Sequence, residues 1–277
     1  MKKYAAVILA AGKGTRMNEG KESSIPKVMY EIAGKPIIAW SVKLTKDAGI
    51  DKIVLVVGYK KELIEDYFGC RLTEKNLSRL GSRAKADPAC ENIEFAVQEP
   101  QLGTGHAAAS ARSVLEGKAE SIIVFYGDNP LYQPATVQKL ITLYENPPSG
   151  GKPTIAMMTV VFDNPEFWVF GRIIKDDNGH VIDIIEQKDC TLEQLKITEC
   201  NPGFYIFDAK WFWANVDKLE TNNAQGEYYL TDMVRIAAQQ GKKVVSMPVS
   251  EIGEALGINN PEQQKKAEEI ILRRQND

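Results

Sequence analysis

Four short runs rich in valine, isoleucine and alanine recur through the first half of the chain: YAAVIL (Tyr4–Leu9), KIVLVVG (Lys52–Gly58), NIEFAVQ (Asn92–Gln98) and SIIVFYG (Ser121–Gly127). Each has the length and the β-branched content of a buried strand. Helical candidates lie between and after them, at Pro36–Ala48, Lys60–Phe68, Thr104–Glu116 and Pro134–Glu145. Alternation at this spacing predicts an α/β fold whose sheet is mainly parallel. Ligands of such sheets bind outside the carboxyl ends of the strands. Three segments fall at those ends: Leu9–Met17, Gln98–Gly105 and Gly127–Pro130.

The pattern changes after ENPPSGGKP (Glu145–Pro153), a loop by its proline and glycine content. TIAMMTVVF, GRIIKD, GHVIDIIEQ and CNPGFYIFD read as strands with shorter connections. NAQGEYYLTDMVRIAAQQG reads as a loop and a helix, and KVVSMPV as a further strand. NPEQQKKAEEIILRRQND closes the chain as a helix, with Asn260 as cap, Pro261 in the first turn, and Arg273 and Arg274 at the negative end of the dipole. The expected organisation is one unit over residues 1–260, its halves meeting near residue 150, followed by the helix 261–277. No internal repeat is present. The stretch Cys70–Cys90 reads as a surface insertion, with disorder and a partner contact both open.

LAAGKGTRM (Leu9–Met17) places two glycines and two cations just past the first strand. It is too compressed for a Walker A loop, which needs four residues between its first glycine and Gly-Lys-Ser/Thr. A dinucleotide fingerprint would need glycine where Met17 stands and an acidic residue at the end of the second strand, which instead reads Val57-Gly58-Tyr59. Successive backbone N–H groups in such a turn still form an anion nest, and Lys13, Arg16 and Lys27 add charge that a plain turn does not need. The anion site is local, because the formal net charge is −3 over 277 residues. A chain that binds nucleic acid through its phosphates is normally basic. No apolar run approaches the roughly 20 residues that span a bilayer. The four cysteines include no CxxC pair and read as free thiols in a reducing cytosol. The expectation is a cytoplasmic protein with neither nucleic acid nor membrane as partner; the sequence does not set its oligomeric state.

LAAGKGTRM followed by PKVM (Pro26–Met29) resembles the signature of the sugar-phosphate nucleotidylyltransferases. QEPQLGTGHA (Gln98–Ala107), YGDNPL (Tyr126–Leu131), GRI (Gly171–Ile173), EQKD (Glu186–Asp189), NAQGEYYLTD (Asn223–Asp232) and GINN (Gly257–Asn260) follow in order. Together they resemble the uridylyltransferase domain of the bifunctional bacterial UDP-N-acetylglucosamine pyrophosphorylase/glucosamine-1-phosphate acetyltransferases, from Tyr4 to about Asn260. The resemblance implies a Rossmann-like nucleotide-diphospho-sugar transferase fold. It also implies uridylyl transfer from UTP to a sugar 1-phosphate, N-acetylglucosamine 1-phosphate first, with Mg²⁺ as cofactor.

Residue by residue, the resemblance implies that Leu9, Ala10, Ala11, Gly12 and Gly14 lie along the nucleotide, with Tyr126 and Gly127 nearby. Gln98 and the Gly103-Thr104 backbone would read the base; a glutamine amide matches the donor and acceptor of the uracil edge. Arg16 and Lys27 would be the catalytic cations. Asp128 and Asn259 would hold the Mg²⁺, and Gly171, Glu186, Asn201, Tyr229 and Thr231 the sugar. The nucleophile is already an anion, since the second phosphate pKa is about 6, so no general base is required. The chain has only two histidines, His106 and His180, which agrees. Trp211, Phe212 and Trp213 read as core.

The chain departs from the family pattern in its longer loop between Met17 and Pro26, and on the sugar side. Asn201-Pro202-Gly203-Phe204 replaces Asn-Thr-Gly and a small aliphatic residue, and PEFWVF precedes Gly171. Pro202, Phe204 and Trp168–Phe170 are therefore expected to add apolar bulk beside the sugar and to broaden sugar tolerance. The hexapeptide β-helix of the bifunctional proteins has no counterpart in this sequence, so acetyl transfer is not expected of it.

Overall fold

In the computed structural model of the chain, the described residues are 1–14, 17, 24–69, 92–148, 150–164 and 169–276. The first strand, β1 (Lys2–Leu9), is apolar on both faces from Ala5 onward because both faces are covered. The strands that follow are β2 (Glu31–Ile32), β3 (Lys35–Pro36), β4 (Ile53–Val57), β5 (Ile93–Val97), β6 (Ala119–Tyr126), β7 (Ile155–Val161), β8 (Gly171–Lys175), β9 (Val181–Ile185), β10 (Glu199–Asn201), β11 (Phe204–Asp208) and β12 (Val244–Pro248). The helices are α1 (Ile37–Asp47), α2 (Lys61–Tyr67), α3 (Thr104–Ser110), α4 (Arg112–Leu115), α5 (Pro134–Glu145), α6 (Leu192–Leu195), α7 (Ala209–Asn215), α8 (Asp232–Gln239) and α9 (Pro261–Asn276).

One sheet runs through the molecule in the order β5-β4-β1-β6-β11-β7-β10-β8-β9, with β12 paired to β7. The ladders joining β5, β4, β1 and β6 are parallel. Beyond β6 the sheet turns antiparallel through β11, β7, β10, β8 and β9, apart from the parallel β7–β12 pair. The halves on either side of residue 150 thus share a continuous mixed sheet flanked by helices. From β1 the chain goes on one side to β4 and β5 and then crosses back to β6 on the other side of β1, and such a switch point opens a crevice at the carboxyl ends.

Alternate residues of β1 feed two cores. Ala5 and Val7 face Ala108 and Leu115 of α3 and α4, with Phe212 of α7 and Met233 of α8 in the same layer. Ala6 and Ile8 face a layer built from Val42 of α1, Ile64 of α2 and Leu140 of α5. Each fully buried aliphatic or aromatic side chain contributes about 1.5–3 kcal/mol, so both helix layers are held mainly by their apolar faces. A third cluster joins Met17, Ile32, Ile37, Leu131 and Ile258 to Ala267 and Ile271 of α9.

The structure corrects several local readings. CNPGFYIFD is two strands, because Pro202 has no N–H for a ladder and Gly203 takes φ of 82°. The helix expected over Thr104–Glu116 breaks at Ala111. Helix α1 starts one residue late, since Pro36 closes the β2–β3 hairpin across Ala33-Gly34, both at positive φ. Phe212 and Trp213 are core, whereas Trp211 is half-buried and its Nε1 donates to Gln240 Oε1 at 2.8 Å. Phe204 does not line the sugar side. It is fully buried against Phe125 and Tyr132, on the opposite side of its strand from Tyr205. The Cys70–Cys90 insertion and Trp168 lie outside the described residues. Among the described residues no helix is long and apolar enough to cross a membrane.

Candidate active site

A cleft of about 880 Å³ opens at the carboxyl ends of β1, β5 and β6. One wall is the backbone that continues β1: Leu9, Ala10, Ala11, Gly12, Lys13 and Gly14 all line it. Ala10 N–H extends the ladder to Val56 O at 2.8 Å, and Ala11 O accepts from Tyr59 N–H at 3.2 Å and from the Gln101 amide. Gly14 sits at φ of 68°, and a Cβ there would lie 2.3 Å from Lys27 Cβ. The turn can therefore close over the Lys27 stem only as glycine. Arg16 and its neighbour Thr15 lie outside the described residues.

Gln98, Gly103, Thr104 and Tyr126 form the adjoining wall. The Gln98 amide donates to Gly103 O at 2.9 Å and lies 3.2 Å from His106 Nδ1, so the glutamine is fixed to the loop it faces. Burial raises the Tyr126 phenol well above its usual range, with a hydrogen bond to Thr104 opposing, and the group stays a neutral hydroxyl. Gly127 is placed behind this wall. A Cβ there would meet Ile38 and Leu9 O, which makes it a packing residue of the strand end.

Lys27, Asp128 and Asn259 meet at the centre. Lys27 Nζ pairs with Asp128 Oδ2 and donates to Asn259 Oδ1 at 3.0 Å. The two ligand candidates come together through backbone: Ile258 N–H donates to Asp128 O at 2.9 Å. Gly257 packs so closely on Asn129 that a Cβ would lie 2.4 Å from its Oδ1. Two hard oxygen donors thus converge on one cation position, which the lysine ammonium fills. One carboxylate plus one amide oxygen suits Mg²⁺, which takes few protein ligands and completes its shell with phosphate and water. Among the described residues no group of three or more His, Cys, Asp or Glu could hold a metal by itself. The pair fits a shared ion and not a protein-only cage.

The opposite wall carries Val169, Phe170, Gly171, Glu186, Asn201 and Pro202. The Asn201 side chain accepts from Gly203 N–H at 3.1 Å, and Pro202 O accepts from Asn129 Nδ2 at 2.8 Å, which ties this wall to the Asp128 loop. Thr231 is buried behind the wall and donates to Glu186 Oε1 at 3.1 Å. Tyr229 is also behind it, its hydroxyl accepting from the Gln225 amide at 2.9 Å. The sequence reading did not single out Gln101, Asn129, Glu227 or Gln263, all of which line the cleft. Gln101 and Asn129 lie inside QLGTGHA and YGDNPL, whereas Gln263 carries only a helix-capping signal.

Burial raises the Glu186 carboxyl pKa; the charges of Asp189 and Asp232 add to this and the Thr231 hydroxyl opposes it. A carboxyl raised on folding costs stability while ionised, and the cost disappears as pH falls through the raised value. Glu186→Gln keeps the acceptor for Thr231 and removes the charge. The variant should therefore melt above the parent at about pH 8, by a margin that shrinks toward about pH 5. Thermal unfolding at the two pH values checks this, and a margin independent of pH would contradict it.

A sequence profile described as Nucleotidyl transferase matches residues 5–254. The bifunctional protein GlmU of Geotalea daltonii is 38% identical over 271 residues, and that of Clostridium novyi 39% identical over 273. These alignments cover 98% and 99% of this chain and 53% of each relative, so the chain spans about half the length of the curated relatives it matches. Among solved structures, a UDP-glucose pyrophosphorylase complexed with UDP-glucose superposes with a TM-score of 0.73 at 19% identity, over 99% of this chain and 100% of the other, a likeness of fold. Over residues 5–254, which hold most of the cleft lining, the chain belongs to the nucleotidyl transferase family.

Proposed function

We propose that this nucleotidyltransferase moves a uridylyl group from UTP to a sugar 1-phosphate, with N-acetylglucosamine 1-phosphate the first sugar and Mg²⁺ the metal. One observation carries the reading: a single cleft holds the glycine-rich turn and Gln98 on one side, Glu186 and Asn201 on the other, and Lys27 with Asp128 and Asn259 between them. The relatives at 35–39% identity are named bifunctional GlmU proteins, which supports the choice of nucleotide and sugar.

The chemistry asked of the protein is alignment and charge neutralisation. A phosphate oxygen of the sugar 1-phosphate attacks the α-phosphorus of UTP, the bond to the β-phosphate oxygen breaks, and pyrophosphate leaves. Backbone N–H groups of the glycine-rich turn would hold the triphosphate, and Lys27 would supply positive charge where the two phosphates approach. Mg²⁺ held by Asp128 and Asn259 would neutralise phosphate oxygens as charge shifts toward pyrophosphate. Glu186 and Asn201 offer acceptors and a donor to sugar hydroxyls and to an N-acetyl group. The unit over residues 1–260 is proposed to supply the groups that contact the nucleotide, the sugar and the metal.

Pyrophosphate release over four nucleoside triphosphates and several sugar 1-phosphates tests the reading. Turnover should require UTP. With Val169, Phe170 and Pro202 forming an apolar wall, glucose 1-phosphate should fall within about a hundredfold of the N-acetyl sugar in kcat/KM, because one methyl-sized difference is worth about 1–3 kcal/mol. Turnover with no pair would favour a non-catalytic nucleotide-sugar binder. In the same assay, Gln98→Ala should raise KM for UTP about tenfold and leave KM for the sugar within about threefold. Equal effects on both would make Gln98 a structural residue.

A further inference from the structure

We propose that Gln263, in the first turn of α9, is a positioning residue for Asn259, so that the C-terminal helix is part of the reaction centre. This rests on the reading of Asp128 and Asn259 as the metal pair. Asn259 precedes the helix cap and is held from two directions. Gln263 N–H donates to the Asn260 side chain at 2.8 Å, which caps the helix. The Gln263 side chain reaches back one residue further, and its Oε1 accepts from Asn259 N–H at 2.8 Å. The reciprocal pair is a capping box whose return bond lands on the residue before the cap, which is the ligand residue itself. On its other side, Ile258 N–H is bonded to Asp128 O.

Helix α9 is itself immobilised against the parts that carry the other groups. Ala267 and Ile271 pack on Met17, beside the glycine-rich turn, and on Leu131, three residues beyond Asp128. Arg274 donates to Leu131 O at 2.6 Å, and Glu268 Oε1 accepts from Ala33 N–H at 2.8 Å. The helix is thus a brace between the Asp128 loop and the phosphate turn, and Gln263 transmits its position to Asn259. Without that bond the Asn259 peptide can rotate, and its side-chain oxygen leaves the point it shares with Asp128.

The test is Mn²⁺ binding to the UTP-loaded chain, followed by the resonance of free Mn²⁺, with UTP binding in EDTA measured in parallel. Gln263→Met keeps the length and removes the acceptor, and Gln263→Glu keeps an acceptor for Asn259 N–H. The methionine variant should weaken Mn²⁺ about tenfold, the size of effect seen when groups that orient metal ligands are removed, while metal-free UTP binding changes less than about twofold. The glutamate variant should return Mn²⁺ affinity to within about threefold of the parent. Unchanged Mn²⁺ affinity in the methionine variant, an equal loss of metal-free UTP binding, or no recovery with glutamate overturns the proposal. A parent chain that binds UTP but no Mn²⁺ overturns the metal reading of Asp128 and Asn259, and this inference with it.

Discussion

Asp128→Ala should remove nearly all nucleotidyl transfer from a chain that remains folded. The backbone carbonyl of Asp128, which accepts from Ile258 N–H, is untouched by the change, so the Gly257–Asn259 segment keeps its place. Lys27 keeps Asn259 as a partner. The loss falls on the charge at the centre of the cleft: one carboxylate from a position where cation and phosphates must balance. Several kcal/mol of transition-state stabilisation at about 1.4 kcal/mol per decade corresponds to roughly a thousandfold drop in kcat. Asp128→Asn keeps an oxygen donor without its charge and should lie between the two. Pyrophosphate release at saturating UTP and sugar, with far-UV circular dichroism as the check on folding, measures both. Near-parental turnover by folded Asp128→Ala would falsify the assignment of Asp128 to the metal.

The parallel part of the sheet was legible because β4 and the inner lengths of β1 and β6 are buried on both faces and therefore read as near-continuous apolar runs. The site segments at their ends were legible for the same reason, since strand direction fixes which loops share an edge. What local sequence could not carry was the meeting of Asp128 with Asn259. It depends on Gly257 packing against Asn129 and on a backbone bond across the fold, and it entered the sequence reading only through the family resemblance. Phe204 was misplaced for a reason that period-2 geometry explains: Phe204 and Ile206 face one core, and Tyr205 and Phe207 the other, so bulk at 204 adds nothing to the cleft wall. The β2–β3 hairpin escaped because its strands are two residues long and its turn begins with alanine, which rarely takes positive φ.

Gly103 should be among the least replaceable residues of the wall proposed to hold the nucleotide. Its backbone lies at φ of 109° and ψ of 175°, in a region essentially reserved for glycine. The loop around it is fastened to the opposite segment by two backbone bonds, Tyr228 N–H to Leu102 O at 2.9 Å and Gly105 N–H to Tyr228 O at 2.7 Å. A Cβ at 103 would lie 2.7 Å from Tyr228 O and 2.8 Å from Tyr228 N. Both are backbone atoms, which cannot turn aside as a side-chain tip can. An alanine must therefore either hold a strained backbone or open the two bonds. Strain alone costs about 1–3 kcal/mol, and a parted backbone pair adds about 1 kcal/mol per bond, so Gly103→Ala should lose roughly 2–4 kcal/mol of stability. Opening the loop also moves Gly103 O away from the Gln98 amide that it holds at 2.9 Å, and Gln98, the residue proposed to read the base, loses its fixed orientation. UTP affinity should fall about tenfold or more, while sugar 1-phosphate binding, on the far wall, falls by less. Urea unfolding and calorimetric titration with each substrate give both numbers. A Gly103→Ala chain within about 1 kcal/mol of the parent and with unchanged UTP affinity would mean that the 102–105 loop shifts freely, and that its close packing on Tyr228 has no part in holding the nucleotide.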